Sequence, residues 1–376
     1  MFNHRHYVPI LRWKRAEQGA LREMHPNDSA FITPLLELTP ADFAPHRIAK
    51  AGGLQKKLSK ITGQLVRSWQ HSPFFMDLLH LDDSVTPIDT NHLLEIVAKE
   101  SRDQELHMIP VTGLDRGRAY QSAVASIAST EQKEVCIRIF RTQLQRKTFP
   151  TDLQRLLSEI GVVPEHADLI IDYQIADNFS PSFPELYALF PDIERWRTFT
   201  IVSGAFPKDL TGFTIGRHLI ERRDWLAWLG LVTPEGSLPR TPTFGDYTIQ
   251  HPIFSEPPRD ANFSASIRYT SEQNWLIMRG EGVRHSGSPG FAQWPANAEL
   301  LCDRAEFCGP DFSYGDEYID RMSLETQKPR EDMRPGNATT WLLAGINHHL
   351  TFVVRQIARV FDVSSSDIRP TVVHQR

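Results

Sequence analysis

YVPILRWKRAEQGAL, Tyr7 to Leu21, holds in one stretch the grammar that the chain goes on to repeat: a short apolar run, a cluster of charge, then a helix. Side chains of an extended segment alternate between two sides, so Val8, Ile10, Arg12 and Lys14 share one side and Pro9, Leu11 and Trp13 the other. With the even side facing inward, apolar residues fill the bottom of a parallel barrel. Arg12 and Lys14 then emerge at its C-terminal mouth, where barrel enzymes place their chemistry. Pro9 cannot donate to a central ladder, a cost that its early position in the strand limits.

Seven further segments follow the same pattern and read as strands: Phe31–Leu38, Pro73–Leu79, Leu106–Thr112, Glu134–Arg141, Asp168–Tyr173, Arg197–Ala205 and Pro242–Ile249. Helices are expected between them at Ala16–His25, Leu54–Trp69, Asn91–Lys99, Arg118–Ser129, Thr151–Ile160, Pro184–Trp196 and Ile215–Leu229. In the second of these, Leu54, Leu58, Ile61, Leu65 and Trp69 recur at intervals of three and four. Eight strand–helix units predict an α/β fold, a parallel (β/α)8 TIM-type barrel over residues 1–249, in preference to an open doubly wound sheet.

After Gln250 the rhythm breaks. A Pro-rich link, HPIFSEPPRD, leads to two strands spaced as a hairpin, Ala265–Thr270 and Asn274–Arg279, then a short helix at Ala296–Asp303 and the loop DFSYGDEYI. Residues 250–336 read as an insertion between the eighth strand and the last helix. Residues 337–376 hold that closing helix, Thr339–Val360, with Asn337 as its N-cap.

At 376 residues the chain is long enough for a barrel of about 250 residues and one sizeable insertion. A net charge of -5, with 40% hydrophobic and 23% charged residues, excludes global disorder and gives no sign of a dedicated nucleic-acid binder, although a local basic patch can still hold phosphate. No segment approaches the roughly 20 apolar residues of a membrane span, and the N-terminus lacks an apolar export region. Cys136, Cys302 and Cys308 are spaced for neither a disulfide framework nor a CxxC zinc site. A cytoplasmic location with no membrane partner is the expectation.

Charged residues stand at the predicted strand ends: Arg12, Lys14, Glu37, Asp77, Arg138, Asp172 and Asp246. Converging at one barrel face, the carboxylates could hold a divalent cation and the cations a phosphate. Asp and Glu after strands also serve as helix caps, which is the bland alternative. Ser203, in SerGlyAla after the seventh strand, lets backbone amides approach a phosphate, and Arg268 and Arg279 of the hairpin add contacts over the mouth. In GINHHLTF, His348 and His349 are adjacent on a helix and cannot chelate one metal together. One of them is a candidate proton carrier, and a satisfied structural histidine is the competing reading. Asp316, in the Gly-Asp turn, reads as a helix cap. No GxGxxG follows the first strand, and no Walker loop, HExxH or GxSxG occurs.

YVPILRWKRAEQGAL with ITPLLEL at one end, and FSYGDEYI with GNATTWLLAGINHHLTF at the other, resemble the signature blocks of the beta-protein family. That family is named after a T-even phage protein and is found through phages and bacterial mobile elements. The resemblance covers most of the chain, implies a role in phage–host conflict, and transfers no catalytic residue. Arg12 stands where similar sequences carry lysine, which keeps the charge and loses lysine's adaptable pKa.

The leading expectation is a phosphate-recognising barrel, a metal-assisted hydrolase of a nucleotide or nucleic-acid phosphodiester. Lys14, Glu37, Asp77, Asp172 and His348 form its catalytic set, and Arg12, Arg138, Ser203, Asp246, Arg268 and Arg279 its ligand contacts. The alternative is a non-catalytic subunit that binds a phage component or protein partner through Trp225, Trp228, Trp275 and the insertion. An acid–base isomerase or lyase is a third use of the same fold.

Overall fold

Val8 and Ile10 point into the same apolar interior as Leu35, Phe75, Ile109, Val111, Ile170 and Val202, so the alternation first read at Tyr7–Arg12 is kept around a closed barrel. This is seen in a computed structural model that describes residues 2–43, 53–70, 72–81, 92–130, 134–179, 181–233, 238–256, 261–284 and 286–362. The first seven barrel strands are β1 (Tyr7–Arg12), β2 (Leu35–Glu37), β3 (Phe74–Asp77), β4 (Met108–Thr112), β5 (Val135–Phe140), β6 (Ala167–Ile175) and β7 (Thr198–Gly204). The next strand in the chain, β8 (Gly216–Glu221), lies outside the barrel, and β9 (Thr243–Asp246) closes it in parallel between β7 and β1.

Closure depends on a glycine. Gly245 lies opposite Val8, and a Cβ there would come within 2.6 Å of Val202 Cγ2 and 2.8 Å of the Val8 carbonyl oxygen. The side chain could turn aside, but the backbone oxygen cannot, so the last strand fits only because it has no side chain at this point.

The outer layer consists of α1 (Arg15–Arg22), α2 (Pro26–Ser29), α3 (Gly53–Trp69), α4 (Leu93–Asp103), α5 (Arg118–Ala128), α6 (Arg141–Leu144), α7 (Phe149–Ile160), α8 (Phe183–Leu189) and α9 (Arg223–Val232). The buried face of α3 is the row Leu54, Leu58, Ile61, Leu65 and Trp69, as its spacing required. Asn91, taken as the start of the third expected helix, is outside the described residues. The helix expected at Ile215–Leu229 is corrected: its first part is strand β8, and only α9 is helical. Gly216, at φ +119°, starts a strand that pairs with a neighbour along its whole length, and this ladder outweighs local helix propensity. Trp225 and Trp228 pack from α9 against Phe244 in the core.

The insertion contributes β10 (Ile267–Thr270) and β11 (Asn274–Arg279), an antiparallel hairpin as expected, and β8 joins it in the order β10-β11-β8. The insertion's sheet thus takes one strand from the chain ahead of residue 250. One face of the hairpin packs with α10 (Gln293–Cys302), α11 (Tyr314–Ser323) and the start of α12 (Ala338–Asp362), forming a second core around Ile267, Tyr269, Leu276, Met278, Trp294 and Trp341. The other face, with Trp275 and Ile277, joins the barrel's outer core. Asn337 accepts from the amides of Thr339 and Thr340 at 2.9 and 3.3 Å, confirming it as the cap of α12. The three cysteines are free, and no helix among the described residues is long and apolar enough to cross a membrane.

Gly245→Ala should lower stability by about 1–3 kcal/mol, the usual cost of overpacking a core, read as a reduced denaturant midpoint with an unchanged slope.

Candidate functional site at the barrel mouth

Arg138 stands inside the barrel, 1% exposed, and its guanidinium gathers carboxylates from three strands. Nη1 donates to Glu37 Oε1 and Asp77 Oδ2, both at 2.8 Å, while Nε and Nη2 donate to Asp172 Oδ2 at 2.9 and 2.7 Å. Nη2 also reaches the Tyr247 hydroxyl at 2.9 Å, which itself donates to Asp172 at 2.6 Å. The outer oxygens are satisfied too. Arg116 donates to Asp77 Oδ1 at 2.6 Å, the Gln174 amide to Asp172 Oδ1 at 2.8 Å, and His80 Nε2 lies 2.9 Å from Glu37 Oε2.

Burial alone would raise the Glu37 carboxyl, but the Arg138 charge and His80 outweigh it and hold Glu37 down at about 2. Burial wins at Asp172, which is pushed above its ordinary value against the pull of Arg138. Because Glu37 accepts at Nε2, that nitrogen of His80 carries the hydrogen.

Above this network the link that leaves β9 crosses the mouth. Arg12 holds it, donating to Gln250 Oε1 at 3.1 Å and to the carbonyls of His251 and Pro252 at 2.7 and 3.1 Å. Phe254 is then set beneath three positive or protonatable groups: the Arg12 guanidinium at 5.4 Å, the Lys14 ammonium at 5.3 Å and the His80 ring at 4.5 Å from its centroid. Arg268 arrives from the insertion, bonded to the Ile249 carbonyl at 2.8 Å and lying 4.8 Å from the Phe206 ring. Among the described residues, none of Arg12, Lys14 and Arg268 has a carboxylate partner. The buried Glu17 carboxyl is pushed upward by burial against the pull of Gln250 Nε2, which donates to it at 2.6 Å, and of the Lys14 and Arg12 charges.

Of the residues expected at the site, Glu37, Asp77, Arg138 and Asp172 form one connected group, with Arg12, Lys14 and Arg268 around the mouth. Asp246 is a correction. It faces outward with Tyr7, whose hydroxyl donates to it at 2.5 Å, and lies 2.9 Å from His349 Nε2 beneath α12. Ser203 shares the outward parity of Ile201 and is a buried residue within β7, ahead of its last residue Gly204, so it lies in the strand and not in a loop after it. Arg279 ends β11 opposite Gly216 in the insertion's sheet.

His348 is also corrected. It is fully buried on α12, with Nδ1 2.8 Å from Asp316 Oδ2 and Nε2 2.8 Å from the Thr270 carbonyl. Both nitrogens face acceptors, so the ring is committed to joining the insertion to the helix. The cap of α11 is Ser313, whose hydroxyl accepts from the Asp316 amide. Trp225, Trp228 and Trp275 are buried and offer no contact surface.

His80, Arg116, Tyr247 and Phe254 were missed. His80 follows Asp77 by three residues at a strand end, a signal open to reading. Tyr247 could be found only once β9 was registered on β1, because that register turns Asp246 outward and Tyr247 inward. Among the described residues, no group of three or more His, Cys, Asp or Glu side chains is arranged to hold a metal ion. A divalent cation here would have to displace Arg138 from the three carboxylates.

Fold and mouth together define a parallel-barrel protein whose polar residues collect at the C-terminal ends of its strands. The sequence matches the Beta protein family over residues 7–355, and the chain belongs to that family. No curated protein matches it.

Arg138→Met should destabilise the fold by about 3–5 kcal/mol by leaving buried carboxylates unpaired, measured by chemical denaturation. Glu37 has a depressed folded-state pKa, so its contribution is present above pH 4.5 and is lost as pH falls toward about 2. The stability gap between the wild type and Glu37→Gln should therefore shrink across that window in acid titrations.

Proposed function

We propose that this chain is a cytoplasmic barrel protein that binds a phosphate-bearing ligand at its C-terminal mouth, in the phage–host conflict setting implied by its family resemblance. The observation that carries this reading is the contrast between two layers. Inside the barrel, Arg138 and Arg116 are paired with the carboxylates, whereas Arg12, Lys14 and Arg268 at the mouth form no ion pair with a carboxylate among the described residues. An anion bound there meets three cations on low-dielectric aromatic surfaces, which strengthens the attraction. The three free thiols fit a reducing compartment.

For turnover, the residue placed to move a proton is His80, oriented by Glu37 as a carboxylate orients an imidazole in general-base catalysis. The reaction this supports is hydrolysis of a phosphodiester: water gives a proton to His80 and its oxygen bonds to phosphorus, the P–O bond to the leaving group breaks and that oxygen takes up the proton, with Lys14 and Arg12 stabilising negative charge on the phosphoryl oxygens. No position for a metal is part of this reading. A second reading, recognition without catalysis, is favoured by one observation: the three carboxylates that might have activated water are all engaged by Arg138.

Thermal unfolding against nucleotides, cyclic nucleotides and short oligonucleotides should show a raised midpoint with at least one phosphate compound, and Lys14→Ala should abolish the shift. A shift that survives in Lys14→Ala moves the ligand away from the mouth. With a hydrolysed ligand, His80→Ala should lower kcat by about 10²–10⁴-fold; unchanged turnover leaves the recognition reading.

A further inference from the structure

The inserted sheet has an open edge. In the order β10-β11-β8, strand β8 pairs with β11 through all six residues from Gly216 to Glu221, and among the described residues nothing pairs with its other side. A free strand edge presents a row of unpaired amides and carbonyls and is a template for another strand. This edge is also apolar in the wrong place: Leu219 is 50% exposed, and Ile215, just ahead of the strand, is 66% exposed. It contains no proline.

We infer that β8 is a dimerisation edge, pairing antiparallel with β8 of a second copy of this chain to make one continuous six-stranded sheet. The occupant follows from charge. A two-fold axis perpendicular to the sheet keeps Arg217, Leu219 and Glu221 of both copies on one face, so only registers centred on a residue are allowed. Centring on His218 sets Arg217 against Leu219, and centring on Ile220 sets Leu219 against Glu221. Centring on Leu219 sets each Arg217 against Glu221 of the second copy and brings the two Leu219 side chains together. Every exposed side chain on that face then meets a complement. Among the described residues the ion pair of Arg217 is a long one, to Glu306 at 3.6 Å, which leaves it able to turn to the edge. The site at the mouth plays no part in this inference.

The test is sedimentation of the full chain over a range of concentrations. The wild type should move from monomer to dimer. Arg217→Glu alone and Glu221→Arg alone each place like charges opposite one another twice per dimer, and each should weaken association about tenfold. The double variant R217E/E221R exchanges the charges and should restore the wild-type dissociation constant. That rescue separates pairing from misfolding. A wild type that stays monomeric throughout overturns the inference, as do single variants that associate like the wild type or a double variant as weak as the singles. Addition of a foreign strand in place of a second copy would appear as a monomeric wild type.

Discussion

The barrel is organised around the Arg138 guanidinium. One side chain from β5 holds carboxylates from β2, β3 and β6 and the Tyr247 hydroxyl after β9, so five parts of the wall converge on one planar group. A guanidinium suits this place because its donors spread in a fixed plane and it stays charged when buried. Two carboxylates facing each other in an apolar barrel would repel. With Arg138 between them they are held in fixed positions, and the apolar layer of Val8, Ile10, Leu35 and Phe75 can close beneath.

A second polar seam does for the insertion what Arg138 does for the barrel. His348 and His349 stand side by side on α12 and point apart, as neighbours on a helix must. His349 takes Asp246 from the barrel wall, and His348 takes Asp316 from the insertion. Thr270 joins the two, through its hydroxyl to one ring and its carbonyl to the other. The histidine pair therefore aligns β10 with the barrel, and this alignment delivers Arg268 to the mouth from a segment remote in sequence.

These two seams divide the charge by depth. Inside and beneath the insertion, Glu37, Asp77, Asp172, Asp246 and Asp316 each have a cation, an imidazole or a hydroxyl against them. At the mouth the cations rest on Phe254 and Phe206 and on carbonyl oxygens, which accept hydrogen bonds without cancelling charge. Cations without an ion-pair partner at the rim thus stand over an interior where cations and carboxylates are paired.

Period-two alternation was enough to read the barrel, because the strands are buried on both faces and a single register satisfies them. It was enough too for the inward set of Val8, Ile10 and Arg12, and for Glu37, Asp77, Arg138 and Asp172 at strand ends. It failed at Pro242–Ile249, where Asp246 and Tyr247 are adjacent and either could face inward; pairing with β1 across the closure decided between them. It failed again at Ile215–Leu229, where helix propensity gave way to hydrogen bonds with a strand more than fifty residues later. Patterns of apolar and charged residues determined what lies along each element, since that depends on local geometry. Which carboxylate meets Arg138, which histidine meets which aspartate, and which cations remain unpaired at the mouth were decided only when distant segments packed, because each is a contact between residues that no local pattern relates.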